Sequence, residues 1–418
     1  MSKKLLFITT RLFWPTDSGR KVSLYYYCKG LHDKYEYDIY IYSFLEHGQT
    51  ENLLKDKPDF IKEVRLASSV DKVSKVKNLL FRSIFTLSWP LQCSLFYSKK
   101  NHDMIAGYAN QINPDVVIVD MVRLAPYYDA LKDLNCKKII DMDDMLSKRY
   151  TRQIGGNTKT SIAGQYGTGM SGFLNSIIRL SFIKNSILRF ESKLMEKAEI
   201  KYGQMYDSVV FVSQKECDEL NSKIGYKSVA VPMGVYRDAF VTCRYQPVEG
   251  NELCFVGNMA VAANADTLQM IVSEILPNIK SNYKLTVIGK CPEQLKEQYK
   301  SNPKISFTGR VDSIYENARN ASLFLAPIAY GSGIKTKILE AMAMQLPVIT
   351  NSVGAEGIDL NDEEHFVIED DYKVIAEKVD YYLSHKEEAR VLAESGQKAV
   401  FAQYEWNEIW KKFEYILQ

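Results

Sequence analysis

Short runs of apolar residues, many of them β-branched, alternate with helical stretches along almost the whole chain. Most of the runs are continuously apolar and end at Gly, Pro or Asp, which is typical of strands buried on both faces. Because helical stretches separate them, the strands should be parallel and joined by βαβ crossovers. The predicted strands are Leu5–Thr10, Asp38–Phe44, Val116–Asp120, Lys138–Asp141, Ser208–Val212, Leu253–Val256, Lys284–Ile288, Ile305–Thr308, Leu323–Ala326 and Pro347–Thr350.

These strands form two series, which separate near the turn-rich stretch 232–251. A chain of 418 residues is long enough for two or three domains at roughly 150 residues each. We therefore predict an α/β protein with two doubly wound, Rossmann-like domains that face one another across a cleft. The predicted boundaries are 1–245 for the first domain and 246–402 for the second.

Two segments depart from this alternation. Residues 72–97 have Lys-rich ends and an apolar middle that Pro90 interrupts and that is too short to span a bilayer. Residues 173–194 carry apolar side chains at helical spacing, with Arg and Lys between them. Two hypotheses stay open: amphipathic helices that cover the first domain's core, or attachment to an anionic membrane surface. Between the segments, residues 155–172 hold six glycines and predict a flexible loop, which could serve as a lid.

Composition narrows the class of protein. The 53 Lys and Arg against 51 Asp and Glu leave a net charge of +2, which argues against a nucleic-acid-binding protein. Hydrophobic residues at 46% and charged residues at 25% indicate an ordinary globular protein. The seven cysteines show no CxxC spacing, and the five histidines show no spacing for a metal site. The N-terminal apolar run is too short for a signal peptide, so we expect a cytoplasmic protein with reduced thiols.

The most informative stretch is 324–357, FLAPIAYGSGIKTKILEAMAMQLPVITNSVGAEG. A buried strand is followed by a Gly-X-Gly turn (331–333) and a helix that begins near Ile334. Glycines allow close backbone approach to a phosphate, and the free N–H groups of a helix start favour an anion. Lys335 and Lys337 in the first turn make sense beside a bound anion, and the Glu340 carboxylate can accept hydrogen bonds from a sugar diol. These residues predict a pyrophosphate and ribose site; the alternative is a tight turn with surface lysines. The stretch lacks the GxxxxGK[ST] pattern of a P-loop.

The same stretch resembles the nucleotide-binding signature of glycosyltransferase family 4, retaining sugar transferases with the two-domain GT-B fold. Residues 255–259 (FVGNM), 306–311 (SFTGRV), 231–235 (VPMGV) and 15–20 (PTDSGR) also resemble segments of that family. The resemblance covers nearly the whole chain and is most specific over 250–360. It implies a donor site made by Gly19, Arg20, Gly257, Asn258, Arg310, Val311, Gly331, Ser332, Gly333, Ile334, Lys335, Thr336 and Glu340.

The chain departs from the family pattern at several positions. The family commonly has two glutamates eight positions apart, whereas Ser332 stands eight positions before Glu340. The usual Arg/Lys pair after the first strand of the second domain is absent, and Asn258, Asn264 and Asp266 stand in that neighbourhood. We therefore expect Lys335, and secondarily Lys337, to compensate the charge of the leaving diphosphate.

In the first domain, Asp120 occupies the place where some family members have a His, and Arg123 follows it. We expect Asp120, Lys335 and Glu340 to be the catalytic residues, with Asp120 orienting or deprotonating the acceptor hydroxyl. Asp143 and Asp144, with Arg149 and Arg123, are expected on the acceptor side. The alternatives for the Asp-X-Asp at 141–143 are a metal site of the GT-A type and simple helix capping with surface charge.

The resemblance implies transfer of a hexose-type residue from a UDP- or GDP-sugar to a glycan acceptor, lipid-linked, in capsule, exopolysaccharide or O-antigen synthesis. It implies retention of anomeric configuration and no metal or other cofactor. The two amphipathic segments, under the second hypothesis for them, add a peripheral contact with the inner face of the membrane. The resemblance also implies that a C-terminal helix, 403–418, packs back on the first domain; the alternative is a free interface helix. Two other hypotheses are a non-catalytic scaffold or glycan-binding subunit and a nucleotide-sugar epimerase.

Overall fold

The computed structural model describes residues 2–16, 18–154, 181–247, 250–331 and 333–417. These residues form two compact units, one of Met1–Pro232 with Trp410–Gln418 and one of Met233–Ile409. Each unit is built on its own parallel sheet. The chain passes from the first unit to the second at Pro232, earlier than the boundary at 245/246 expected from the sequence, and it returns at Trp410.

The sheet of the first unit has seven strands in the order β3-β2-β1-β4-β5-β6-β7, and every neighbouring pair is parallel. The apolar residues of the central strands are buried, as the continuous runs in the sequence predict. The strands are β1 (Lys3–Thr9), β2 (Tyr37–Ser43), β3 (Ile61–Leu66), β4 (Val116–Asp120), β5 (Lys137–Asp143), β6 (Ser208–Phe211) and β7 (Ser228–Ala230).

Helices connect these strands. They are α1 (Gly19–Asp33), α2 (Lys72–Asn78) with a π-helical continuation (Leu79–Phe85), α3 (Leu91–Phe96), α4 (Lys99–Ile112), α5 (Leu146–Gln153), α6 (Ser181–Met205) and α7 (Gln214–Ile224), with 3-10 turns at Glu51–Asp56 and Val122–Ala130. In the strand order, β1 and β4 are neighbours from which the sheet grows in opposite directions. Ligands of open parallel sheets bind at the carboxyl ends of strands at such a switch point.

The sheet of the second unit has six parallel strands in the order β10-β9-β8-β11-β12-β13. The strands are β8 (Glu252–Val256), β9 (Lys284–Ile288), β10 (Ile305–Gly309), β11 (Leu323–Ala326), β12 (Val348–Thr350) and β13 (Val367–Ile368). The helices are α8 (Ala262–Met270), extended by a π turn (Ile271–Ile275) and a 3-10 turn (Leu276–Asn278), α9 (Glu293–Tyr299), α10 (Ile314–Ala318), α11 (Thr336–Ala343), α12 (Ser352–Ala355), α13 (Tyr372–Ser384) and α14 (Lys386–Gln403), after a 3-10 turn at Arg237–Ala239.

The last helices are α15 (Trp406–Lys411) and α16 (Glu414–Leu417). Trp410 is buried in the first unit, where its indole N–H donates to the Tyr26 carbonyl over 2.9 Å. The Tyr35 hydroxyl donates to the Trp410 carbonyl over 2.7 Å. A Cβ on Gly30 would lie 2.3 Å from the Trp410 ring, so the absence of a side chain at Gly30 makes room for the indole.

The segment 173–194 is described only in part. In helix α6, Leu188, Leu194 and Met195 are buried in the core of the first unit. This described part therefore covers the core, which is the first of the two hypotheses for the segment. Residues 155–180 lie outside the described residues, and so does the predicted loop over 155–172.

Candidate functional site

The turn between β11 and α11 holds the predicted phosphate-binding segment. Strand β11 is completely buried and ends at Ala326. Gly331 has φ +151° and Gly333 has φ +68°, backbone conformations that a residue with a side chain rarely adopts. A Cβ on Gly331 would also lie only 3.3 Å from Cε of Lys335. Ser332, predicted to bind the donor, lies outside the described residues.

Helix α11 begins at Thr336, two residues later than Ile334, with Lys335 as the residue that precedes it. No acidic residue stands in its first turn, and no side chain caps it. The first N–H groups of a helix carry a partial positive charge and need acceptors. The Lys335 ammonium lies at this end and donates to the Gly333 carbonyl over 2.5 Å. Backbone donors and one ammonium are thus gathered at the turn, which is the arrangement that an anion prefers.

Lys337 brings a second positive charge to the start of α11. Its ammonium donates to Oδ1 of Asn264 over 2.6 Å and lies 4.9 Å from the centre of the Phe255 ring. Burial lowers the pKa of Lys337 to about 8, and the neighbouring Glu340 acts in the opposite direction. Lys337 therefore keeps its charge at neutral pH and loses it under mildly alkaline conditions.

Glu340 lies one turn further along α11, half-buried. Burial raises the pKa of its carboxyl to about 7, while Lys337 acts to lower it. Near neutral pH the carboxyl is therefore divided between its two protonation states. In the ionised form it offers acceptors on both oxygens, which suits a vicinal diol.

The loop after β8 and the start of α8 are fastened to the same turn. The Tyr330 hydroxyl donates to Asp266 over 2.7 Å, and the Ala329 N–H donates to Oγ1 of Thr267 over 3.0 Å. Asn264 in turn donates to the Asn258 carbonyl over 3.0 Å. Tyr330 and Thr267 were not identified from the sequence, because their partners lie more than sixty positions away in the chain.

Glycines allow the two loops to approach closely. A Cβ on Gly257 would lie 2.9 Å from the Asn264 side chain, and a Cβ on Gly289 would lie 2.3 Å from the Gly257 carbonyl. Arg310 and Val311 follow β10, the outer strand of the sheet, which β9 and β8 separate from β11. Arg310 is exposed there.

In the first unit, Arg20 lies among three aspartates at the carboxyl end of the sheet. Gly19 is the first residue of α1, and the Arg20 side chain next to it is only 8% exposed. One Arg20 nitrogen, Nη2, lies 2.5 Å from Asp120 and 2.9 Å from Asp141. The other, Nη1, lies 3.2 Å from Asp143. The positive charge beside the Asp-X-Asp sequence is thus a guanidinium of the chain itself.

The three aspartates differ in their protonation. Burial raises the pKa of Asp120, but Arg20 and the hydrogen bonds from Thr10 outweigh it, so its net pKa is lowered. Burial raises the pKa of Asp141 to about 6, because Asp120 and Asp143 add to the effect and Arg20 opposes it only in part. The pKa of Asp143 is also raised by burial, against the pull of Arg20. When all three carboxyl groups are ionised, the single positive charge of Arg20 leaves the cluster with a net charge of two negative units.

Both oxygens of Asp120 are used by the chain. Oδ1 accepts from Arg20, and Oδ2 accepts from the Thr10 N–H over 2.9 Å and from its hydroxyl over 2.5 Å. The side chain is completely buried. Asp143, at the end of β5, is 19% exposed and has φ +65°. Of the carboxylates around Arg20, Asp143 is the one with solvent access.

The remaining predicted acceptor-side residues lie near the start of α5. Asp144 is buried and accepts from Nε of Arg149 over 2.8 Å. Arg123 is buried, with its guanidinium 5.6 Å from the centre of the Phe96 ring. Asp144 and Arg149 thus form an ion pair with one another, and Arg123 is packed inside the first unit.

Two buried glutamates of α6 were not identified from the sequence. Glu199 accepts from the N–H and hydroxyl of Ser147, over 3.0 and 2.6 Å, in the first turn of α5. Glu191 accepts from the N–H groups of Leu91 and Gln92, over 2.7 and 3.1 Å, at the start of α3. Burial raises the pKa of Glu191 to about 7 and that of Glu199 to about 8. The sequence feature that could have identified them is a glutamate at helix positions where the pattern predicts apolar residues.

Comparisons with known proteins find a family that matches part of the second unit, and two relatives. A family described as "Glycosyl transferases group 1" matches residues 250–385, which include β8 to β13 and the turn before α11. An uncharacterised 44.6 kDa protein in the cps region of Klebsiella pneumoniae is 26% identical over 217 residues, 48% of this chain and 54% of that protein. The capsular polysaccharide biosynthesis glycosyltransferase CapM of Staphylococcus aureus is 29% identical over 115 residues, 27% of this chain and 30% of CapM. The chain thus spans about half the length of the first relative and less than a third of the second.

Solved structures match over almost the full length. The sucrose-phosphate synthase of Thermosynechococcus elongatus aligns with a TM-score of 0.67 at 13% identity, covering 99% of this chain and 98% of that protein. Anabaena HepE in complex with UDP aligns with a TM-score of 0.66 at 10% identity, covering 99% of both chains. At these identities the likeness concerns the fold, and it confirms the predicted GT-B fold. Residues 250–385 match the glycosyl transferases group 1 family, in a chain that has the GT-B fold from end to end.

Proposed function

We propose that the protein is a glycosyltransferase that moves a sugar from a nucleoside diphosphate sugar to a glycan acceptor in the synthesis of a cell-surface polysaccharide. The observation that carries the proposal is the Gly331–Glu340 segment of the group 1 domain. There the start of α11, two ammonium groups and one carboxylate lie within two helical turns. These groups match the charges and hydroxyls of a nucleoside diphosphate in the order diphosphate, then ribose.

The chemistry needs the diphosphate to leave with the electron pair of the glycosidic bond. In the transfer, the acceptor oxygen bonds to the anomeric carbon as the bond from that carbon to the diphosphate oxygen breaks. Negative charge grows on the leaving group, and preorganised N–H groups and cations lower the energy of that state. Lys335 and Lys337 and the first N–H groups of α11 would supply this stabilisation. Glu340 would accept from the ribose hydroxyls.

In the first unit we propose that Asp143, and not Asp120, orients the acceptor hydroxyl. Both oxygens of Asp120 already accept hydrogen bonds from Arg20 and Thr10, which suits a role in holding the guanidinium. Asp143 has solvent access, and its pKa is raised, so it can take a proton more readily than an ordinary aspartate.

Finer features of the proposal come from the resemblance and the relatives. CapM is named for capsular polysaccharide biosynthesis, and HepE was solved with UDP. On this basis we propose a UDP- or GDP-linked hexose as donor, retention of configuration, no metal requirement and a lipid-linked acceptor at a membrane.

Nucleotide binding tests the proposal directly. Thermal shift would be measured with UDP, GDP, ADP and CDP, each with and without EDTA. One nucleotide at a hundred times its Kd should stabilise the protein by ~2.7 kcal/mol. Lys335→Ala should weaken that binding by about tenfold to a hundredfold, the effect of a charge-assisted hydrogen bond. Lys300→Ala is the matched control, because Lys300 is 73% exposed and pairs with Glu297 on α9. Failure of all four nucleotides to bind would contradict the donor site.

A non-catalytic subunit remains the second candidate, because the chain has one glutamate where the family has two and lacks the Arg/Lys pair that the family has after the first strand of this domain. Release of nucleoside diphosphate from the nucleotide-sugar that binds separates the two. Slow release in the absence of acceptor supports the enzyme. Tight nucleotide binding without release or transfer, with any acceptor fraction, would support the subunit.

A further inference from the structure

Residues 72–87 present an apolar surface to solvent. They comprise α2, its π-helical continuation and the two residues that follow, and we call them the basic apolar helix. Of the seventeen large hydrophobic side chains that are exposed among the described residues, seven lie here. Phe85 is 71% exposed and Phe81 57%, with their rings 5.9 Å apart. The seven are Val73, Val76, Leu80, Phe81, Ile84, Phe85 and Leu87.

The helix packs on the protein through its polar side. Asn78 donates to the carbonyls of Ser94 and Tyr97, over 3.2 and 2.9 Å. Ser83 is completely buried, with its hydroxyl 2.8 Å from that of Ser94. An ordinary surface helix buries its apolar side and exposes its polar side. The hydrogen bonds to α3 hold this helix in the opposite orientation.

The lysines and arginine of residues 72–102 have no acidic residue among them, and the nearest acid to the basic apolar helix along the chain is Asp71, which caps the start of α2. Lys72, Lys75, Lys77 and Arg82 lie within the helix, and no Asp or Glu occurs from residue 72 to residue 102. The guanidinium of Arg82 lies 5.0 Å from the centre of the Trp89 ring. A long acid-free stretch is unusual in a chain whose acidic and basic residues are nearly equal in number.

We propose that the basic apolar helix lies in the surface of a membrane that contains anionic lipids. Apolar side chains on one face, with basic side chains at the level of the headgroups, are what such a surface binds. Within the described ranges, no helix has both the length and the apolar character for crossing a bilayer. The inference rests on the proposed lipid-linked acceptor, which it would bring to the same surface as the enzyme.

A second copy of the chain is the other occupant with a suitable apolar face. In a two-fold symmetric contact, each basic residue would face the same basic face of its partner. Like charges without acids between them oppose that contact, whereas anionic headgroups satisfy them. The charge pattern therefore favours the membrane.

Vesicle co-sedimentation of the full chain tests the proposal. The protein should bind vesicles of phosphatidylcholine and phosphatidylglycerol at low salt, bind less at high salt, and bind phosphatidylcholine alone weakly. Phe81→Ser with Phe85→Ser should reduce binding by roughly tenfold for each ring removed from the lipid. Lys75→Glu with Lys77→Glu should abolish the preference for anionic vesicles. Val391→Ser with Tyr415→Ser, which removes two exposed apolar side chains elsewhere, should change nothing.

Three results would overturn the proposal. They are failure of the parent protein to bind anionic vesicles at low salt, equal binding by the Phe81/Phe85 variant, and a dimer in sedimentation that this variant abolishes without any vesicle binding. Nucleotide-induced thermal shift on the same variants distinguishes failure of the membrane proposal from failure of the donor-site proposal. The shift should be the same in the Phe81/Phe85 variant as in the parent protein. If the parent protein shows no shift, the donor site is contradicted, and the vesicle result still decides the membrane proposal.

Discussion

The ammonium nitrogen of Lys337 lies 2.6 Å from Oδ1 of Asn264, and this contact joins the first turn of α11 to the start of α8. In the family that the sequence resembles, a basic pair follows the first strand of this domain, and this chain has Asn258 and Asn264 in that region. Lys337 therefore brings a positive charge to the place where that pair is missing. The Lys337 ammonium is held in position by Asn264, which stands in the region where the family has the basic pair.

Lys337 should make nucleotide binding sensitive to alkaline pH. Its pKa is lowered to about 8, so it loses its charge as the pH rises through that value. A nucleoside diphosphate is fully ionised by then, and its affinity should fall between pH 7 and pH 9. Lys337→Arg should bind with little change over this range, because a guanidinium stays protonated. Calorimetric Kd values at several pH values check this, and a parent profile as flat as that of the Arg variant would contradict it.

Glu340 should affect the ribose and not the diphosphate. Its pKa is raised to about 7, so the ionised acceptor becomes available as the pH rises through neutrality. Glu340→Gln should weaken the binding of UDP by roughly tenfold at pH 8, the cost of hydrogen bonds to a charged group. A 2′,3′-dideoxy analogue of UDP should bind parent and variant alike. If the variant lost equal affinity for UDP and for the dideoxy analogue, the proposed contact between Glu340 and the ribose hydroxyls would be contradicted.

Arg20 should be a large contributor to the stability of the first unit. Arg20→Met leaves the buried Asp120 and Asp141, and the partly exposed Asp143, without their cation and should lower the free energy of unfolding by about 3–5 kcal/mol. Lys29→Met is the control, because the Lys29–Asp33 pair lies on the surface of α1 and should be worth less than about 1 kcal/mol. The loss in the Arg20 variant should shrink below pH 6, where Asp141 takes up a proton. Urea unfolding at pH 5 and pH 8 measures both effects.

Glu199 should make the folded state less stable as the pH rises. Its pKa is raised from about 4.5 in the unfolded chain to about 8 in the fold, so between these values the folded state binds the additional proton. Stability from this group is fully present below pH 4.5 and is lost as the pH rises through 8, with a slope approaching about 1.4 kcal/mol per pH unit. Glu199→Gln should remove the slope. Identical pH dependence of unfolding in the two proteins would contradict the burial of this charge.

The parallel strands of both sheets could be predicted from the sequence. Val116–Asp120, Lys284–Ile288 and Leu323–Ala326 have the same limits in sequence and structure. These strands are buried on both faces, and such burial leaves an unbroken apolar run. β3 (Ile61–Leu66), β7 (Ser228–Ala230) and β13 (Val367–Ile368) were missed, because they are outer strands that are short or carry polar side chains.

The predicted donor side of the candidate site could also be identified from the sequence, because its turn, glycines, lysines and glutamate are neighbours in the chain. Their roles in binding stay predictions. Asn264, Tyr330 and Thr267 complete the second-unit site through contacts across more than sixty positions. The spacing of residues within a short segment does not predict contacts between segments this far apart in the chain.

The sequence by itself determined the α/β class, most of the strands and the position of the glycine turn before α11. These depend on which residues avoid water and on which backbone angles glycine permits, and both are local properties. Only the tertiary structure decided that Arg20 lies among Asp120, Asp141 and Asp143, and that Asn78 and Ser83 attach the basic apolar helix to α3 while its apolar side chains face solvent. A pattern of apolar positions defines the two faces of a helix, but which face is covered depends on what the rest of the fold packs against it.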